Sequence, residues 1–297
     1  MAEITLLDGG MGQELVARSG KPPTPLWSTS VMMENPGIVR GLHADYFAAG
    51  ATVATTNTYA LHHDRLAKFG LDDRFAALNM QALAEAASAR ADHGAGRIAG
   101  SLGPLAASYR PELFPPHGEA VARYAELAVL LAPVIDFFII ETVASLAHAR
   151  AALEGAAAGG KPVWLAVTVD DEDGSRLRSG ETVADLAPIV TKRASAILAN
   201  CSAPEAMAAA LALFRNFDLP FGAYANGFQE ITKEFLKDTP TVAALHKRPE
   251  MTPALYADFA LGWVDLGATI IGGCCETTPA HIAEIARRLA AAGHRVV

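Results

Sequence analysis

A chain of 297 residues that is 51% hydrophobic and 19% charged holds enough apolar material for a large core, with no Ser- or Gln-rich stretch of the kind that stays disordered. Its formal charge of −8 argues against a nucleic-acid partner, because adjacent basic pairs such as Lys192-Arg193 make no dense stripe of cations to release counterions. The longest apolar region, Leu127 to Ile140, is broken by Pro133 and Asp136 and falls short of the ~20 residues of a membrane helix, so no membrane partner is expected either.

Met1-Ala2-Glu3-Ile4 shows neither a basic flank nor a cleavable apolar stretch, and the expected location is the cytoplasm. A first strand is expected over 3–8, ending on Asp8-Gly9-Gly10, and Asn35-Pro36 opens a helix over 34–49. Strand 51–57 runs into Thr56-Asn57-Thr58-Tyr59 ahead of a helix over 72–93, and strand 97–103, carrying Gly100-Ser101, precedes a helix over 117–132. Strand 134–142 ends on Glu141-Thr142, with Ser145 opening a helix over 145–159; strand 162–169 is paired with a helix over 182–192. Strand 194–201 closes on Asn200-Cys201, and Ser202, Pro204 and Glu205 start a helix over 203–216. Strand 220–226 contains Tyr224-Ala225-Asn226 and is followed by a helix over 252–266; strand 268–275 closes on Gly272-Gly273-Cys274-Cys275 before a helix over 278–292 opened by Thr278-Pro279.

Eight strand-then-helix units, with strands apolar enough to be buried on both faces, predict an α/β fold: one closed parallel (β/α)8 barrel forming a single domain over 1–297. An open doubly wound sheet is the alternative. The long connections 11–33, 104–116 and 227–249 all follow strands, so in a barrel they wall the face on which strand C-termini converge.

The chain has three cysteines, an odd set with two adjacent thiols, which makes a poor disulfide framework. Cys201, Cys274 and Cys275 each stand where a buried strand stops. Three thiols can hold one Zn2+ and leave its fourth coordination position open, the arrangement of a catalytic metal rather than a structural one. Neighbouring strand residues point to opposite faces, so Cys274 and Cys275 can share an ion only where the strand has ended or bent, a freedom expected from Gly272-Gly273. A buried small hydrophobe is the ordinary reading of a lone cysteine, and the ligand count weighs against it for all three together. Trp27, Tyr59, Tyr109 and Phe114 lie in loops on the same face and could receive a methylated cation over their rings, with Tyr109 and Phe114 reading more as wall or packing residues.

The motifs Asp8-Gly9-Gly10-Met11-Gly12, Pro25-Leu26-Trp27-Ser28, Tyr46-Phe47-Ala48-Ala49-Gly50-Ala51, Thr56-Asn57-Thr58-Tyr59, Gly100-Ser101-Leu102-Gly103-Pro104, Asn200-Cys201 and Gly272-Gly273-Cys274-Cys275 together resemble the zinc-dependent homocysteine S-methyltransferases, a family that includes the S-methylmethionine and betaine enzymes. The resemblance implies a (β/α)8 barrel with zinc on Cys201, Cys274 and Cys275. It also implies that Asp8 and Glu141 hold the amino end of homocysteine, helped by backbone near Gly9, with Thr56 in the same substrate pocket. Where the S-methylmethionine branch continues after Gly-Pro with Gly-Ala-Tyr-Leu, this chain has Leu105-Ala106-Ala107-Ser108, a departure beside the donor site. The expected reaction moves a methyl group from a small onium donor (S-methylmethionine, S-adenosylmethionine, betaine or similar) to homocysteine, giving methionine; both are small-molecule partners, and the sequence gives no oligomeric state. A zinc barrel hydrolase, a methyltransferase acting on another thiol or selenol, and a non-catalytic metal-binding scaffold are the alternatives. An all-thiolate ligand set disfavours the hydrolase.

Overall fold

The computed structural model describes residues 1–228, 231, 236, 245 and 247–297. Much of the predicted 227–249 connection therefore lies outside the described residues. The eight predicted strands are all present: β1 (Glu3–Leu6), β2 (Val53–Thr55), β3 (Arg97–Leu102), β4 (Phe137–Val143), β5 (Val163–Val167), β6 (Ala196–Asn200), β7 (Phe221–Ala225) and β8 (Ile270–Gly273). From β2 to β8 each strand pairs in parallel with the next, and β8 returns to β1 with Thr5 opposite Ile270. A ninth strand, β9 (Arg295–Val296), pairs with the start of β1 and brings the C-terminus to the base of the barrel.

The seam between β1 and β2 closes without a regular ladder. At its lower end Val297 donates to the Ile4 carbonyl and Thr52 Oγ1 donates to the Val297 carbonyl, so the C-terminal residues occupy part of the edge. Higher up, Thr52 N–H reaches the Leu6 carbonyl at 2.7 Å, and at the top the Asp8 carboxylate replaces a backbone acceptor by taking the Thr55 N–H. The barrel closure thus ends at the face where the strand C-termini converge. These observations make the fold a (β/α)8 barrel.

Period-two alternation sorts the strand residues into two layers. Leu7, Val53, Ala99, Phe137, Ile139, Trp164, Ala166, Ala196, Leu198, Tyr224 and Ile270 fill the barrel interior, while Ile140, Leu165, Ile197 and Ile271 face the surrounding helices. Near the base of the interior the Arg97 guanidinium lies over the rings of Phe137 and Trp164, 5.4 and 5.6 Å from their centroids. The interior is filled by side chains, which leaves only the upper rim free to build a pocket.

The helical layer comprises α1 (Gly12–Ser19), α2 (Ser28–Glu34), α3 (Ile38–Ala48), α4 (His63–Leu66), α5 (Phe75–His93), α6 (His117–Leu131), α7 (Leu146–Ala156), α8 (Ala187–Val190), α9 (Met207–Phe214), α10 (Pro253–Asp265) and α11 (Pro279–Ala291) among the described residues. Two predicted caps hold: Ser145 accepts from His148 N–H, and Thr278 forms a capping box with His281. Two others do not. Asn35 ends α2 by returning to the Val31 carbonyl, and α3 starts only at Ile38. Ser202 instead crosses to Val169, accepting its N–H and donating to its carbonyl, and α9 begins at Met207. No described helix is long and apolar enough to cross a membrane.

Candidate metal centre and active site

Cys201 follows β6, whose Ile197 and Ala199 face outward, so simple alternation would send its sulfur toward the helices. A positive φ of 50° at Cys201 reverses that direction and turns the thiol to the barrel mouth. β8 ends at Gly273, so Cys274 continues its inward row while Cys275 lies on the bend beyond, where Glu276 takes a φ of 63°. The two glycines do not supply the turn through positive φ, as the sequence suggested. They provide room: a Cβ on Gly273 would sit 2.1 Å from Thr277 Oγ1, and one on Gly272 2.5 Å from Leu7 Cβ. Thr277 Oγ1 donates to the Cys274 carbonyl at 2.6 Å and accepts Gly10 N–H, tying the cysteine bend to the first strand.

The ligand atoms of Cys201, Cys274 and Cys275 all lie within 4.8 Å of one another. Zinc bonded to sulfur at ~2.3 Å sets neighbouring sulfurs about 3.8 Å apart in a tetrahedron. The Cys201 and Cys274 sulfurs stand 2.7 Å apart, so an ion between them needs that pair to open by about 1 Å. The set fits a soft divalent metal with one side open to the pocket. Within the cluster, S–H donation from Cys274 and Cys275 pulls Cys201 well below the ordinary thiol range, while both partners are pushed up.

Two buried carboxylates face the same space. Asp8 accepts Thr55 N–H at 2.7 Å and Thr55 O–H at 2.8 Å, yet burial dominates and raises its pKa to about 7. Glu141 accepts from Ser101 Oγ at 2.5 Å and from Tyr224 Oη at 2.9 Å, and burial again outweighs these donors, with a pKa of about 7. The backbone beyond Glu141 is held by Asn200, whose Oδ1 accepts Thr142 N–H and whose Nδ2 donates to Thr142 Oγ1. Thr142 itself has a φ of 58°. Strained conformations at Trp27, Tyr109, Thr142, Cys201 and Glu276 therefore gather around one site, as strain does where function requires it.

A cavity of about 110 Å³ joins these groups. Every predicted site residue lines it: Asp8, Gly9, Trp27, Thr56, Tyr59, Glu141, Cys201, Cys274 and Cys275. Tyr109 lines it too and packs with Cys201, so it belongs to the site rather than merely to the wall expected from sequence. Phe114 stacks on His148 instead, as a packing residue. Tyr59 Oη meets Ser108 Oγ at 2.7 Å while the Arg65 guanidinium lies over its ring. The Thr56 hydroxyl is engaged inside the wall, paired with Thr58 Oγ1 and accepting Ser101 N–H, and it is Thr55 that grips Asp8. Among the described lining residues none is basic.

The family model for homocysteine S-methyltransferase matches residues 5–289, nearly the whole barrel. The chain belongs to this family. It is similar to the homocysteine S-methyltransferase of Escherichia coli K12, at 30% identity over 96% of this chain and 95% of that protein. It is also similar to the homocysteine S-methyltransferase YbgG of Bacillus subtilis 168, at 27% identity over 95% and 93% of the two chains. Among solved structures, the metallated form of the E. coli homocysteine methyltransferase MmuM superposes with a TM-score of 0.80 at 28% identity, covering 96% of each chain.

Family membership removes the hydrolase and scaffold alternatives. It leaves Thr55, Ser101, Asn200 and Tyr224 as residues that sequence reasoning did not select for the site. Ser101, Asn200 and Tyr224 were visible as polar groups at strand ends, but their pairing with Glu141 and Thr142 across strands had no signal in one sequence. Thr55 was hidden by its neighbour, since alternation alone does not say which of two adjacent threonines turns to Asp8.

Proposed function

We propose that the chain catalyses transfer of a methyl group from a diffusible onium donor to the sulfur of homocysteine, and that Cys201, Cys274 and Cys275 hold a zinc ion for this reaction. The observation that carries the proposal is the convergence of three thiols and two buried carboxylates on one cavity without a basic lining residue among those described. Bound zinc would supply deprotonation of the homocysteine thiol at neutral pH, since a coordinated thiol is deprotonated outright. The solved E. coli relative in a metallated form supports a metal at this site.

The remaining work belongs to the chain's own residues. Asp8 and Glu141, when ionised, take the ammonium group of homocysteine and so fix the amino acid's orientation. Gly9 supports this from the backbone; its lack of a Cβ matters because one would lie 2.8 Å from Tyr46 Cε1. Trp27, Tyr59 and Tyr109 offer aromatic surface to a methylated cation, the class of donor that an acidic, cation-free lining favours. Alignment of sulfur, methyl carbon and leaving group then accounts for much of the rate. Onium transfer to a thiolate also neutralises two charges, which a cavity of low polarity favours.

Residues 1–297 act as one homocysteine-binding domain in this proposal, consistent with β9 returning to β1. Its three unbridged thiols suit a reducing cytoplasm. The test is direct: reduced, zinc-loaded protein is incubated with homocysteine and, in turn, S-methylmethionine, S-adenosylmethionine, betaine and dimethylsulfoniopropionate. Methionine from at least one onium donor is the expected result, and none from any of them rejects the proposal.

A further inference from the structure

Helix α3 turns its buried face to the Asp8–Gly10 segment. Tyr46 donates its hydroxyl to the carbonyls of Gly10 and Thr277, at 2.8 and 3.0 Å, and so pins the backbone beside the cysteine bend. Three residues earlier on the same face stands His43, with 0% of its surface exposed. Neither of its ring nitrogens has a hydrogen-bond partner among the described residues. The carboxylate beside it is Asp8, with His43 Nδ1 4.0 Å from Oδ2.

A position that only needed filling would take Phe or Leu without burying two polar atoms. Leaving a buried polar group unpaired costs about 1–3 kcal/mol, and the large majority of buried side-chain polar atoms in folded proteins are paired. Burial drives the His43 pKa down to about 4, so the ring is neutral near pH 7 and carries one N–H to give. Both Asp8 oxygens already accept from Thr55, and each carboxylate oxygen has a further lone pair.

We propose that His43 is a positioning residue for substrate binding: its Nδ1–H closes on Asp8 Oδ2 when the carboxylate takes the ammonium of homocysteine, acting with Thr55 to hold Asp8 ionised and aimed. The closure needs a shift of about 1 Å to reach hydrogen-bond distance. It rests on the reading that Asp8 binds that ammonium.

A double-mutant cycle over His43→Phe and Asp8→Asn, read as KM for homocysteine and kcat at saturating donor, tests both statements separately. His43→Phe fills the site without an N–H. It raises the homocysteine KM about tenfold or more, with kcat changed by less than about twofold. In the Asp8→Asn background the same change adds nothing, and His43→Gln, which keeps a donor, restores part of the loss. An unchanged KM in His43→Phe, or an equal rise in both backgrounds, overturns the role of His43 while leaving Asp8 in place. An unchanged KM in Asp8→Asn removes the Asp8 reading and the proposal with it. Should His43→Phe fail to fold, 15N NMR of histidine-labelled wild type decides: a neutral Nδ1–H tautomer whose proton shifts downfield on adding homocysteine is expected, and an Nε2–H tautomer overturns the proposal.

Discussion

Tyr224, at the end of β7, donates its hydroxyl to Glu141 on β4 at 2.9 Å, across the mouth of the barrel. Ser101 takes the other carboxylate oxygen, so Glu141 enters the cavity with a fixed direction while remaining buried. The consequence for Glu141→Gln is twofold. The homocysteine KM rises by about 10- to 100-fold, from loss of a charge-assisted contact, while bound zinc per chain stays unchanged.

The same substitution changes the pH dependence of stability. A carboxyl with a folded pKa near 7, against an ordinary value of 4.5, binds its proton more tightly in the folded chain. Its contribution is complete below about pH 4.5 and is lost as pH rises to about 7, because the unfolded chain then releases the proton more easily. Asp8 acts in the same sense over the window from 3.8 to about 7. Buried His43, His62 and His148, whose pKa values are driven down to about 4, 4 and 3, act in the opposite sense but equally in both proteins. Thermal unfolding of metal-free protein should therefore show the Tm of Glu141→Gln gaining on wild type as pH rises from 5 to 8. Equal slopes for the two proteins would count against a buried, ionised Glu141.

Substrate binding should run the opposite way. An ammonium group needs Asp8 and Glu141 charged, so affinity falls as pH drops through about 7. Methionine, which carries the same ammonium but no titrating thiol, is the clean ligand for the measurement. Its affinity by calorimetry should decline between pH 8 and pH 6, and the decline should diminish in Asp8→Asn.

Thr55→Val removes the hydroxyl at 2.8 Å from Asp8 Oδ1 and keeps the backbone N–H on Oδ2. Loss of one hydrogen bond to a charged group should raise the homocysteine KM about tenfold. Thr56→Val provides the contrast. Its hydroxyl is tied to Thr58 and Ser101 N–H, so it should lower Tm more than it alters KM.

Barrel strands were legible because buried parallel strands are short apolar runs between turn signals, and each predicted span overlaps an observed one. The same punctuation concealed α1 and α2: Lys21-Pro22-Pro23 and Pro25 make the 11–33 stretch look like loop, yet helices form on either side of them. The predicted helix over 182–192 shrinks to a 3-10 turn at Val183–Leu186 and the single turn of α8. At the site, identities at strand ends were readable but directions were not. Cys201 reaches the pocket only through a positive φ, and a period-two argument cannot foresee that.

Gly273→Ala tests the cysteine bend from the packing side. The new Cβ would displace Thr277, whose hydroxyl links Gly10 to the Cys274 carbonyl. A loss of about 1–3 kcal/mol in stability from overpacking, together with reduced zinc occupancy, is the expected outcome of urea unfolding and metal analysis. A variant that keeps full zinc at wild-type stability would show that the bend tolerates the side chain.

Zinc-edge X-ray absorption on reduced, metal-loaded protein, recorded before and after adding homocysteine, tests the central claim most directly. Three sulfur scatterers at ~2.3 Å should become four on addition, and Cys274→Ser should fail to retain the metal. Sulfur coordination that does not change when homocysteine binds, or zinc held at full occupancy by Cys274→Ser, would contradict a three-thiol centre with a position open to the substrate.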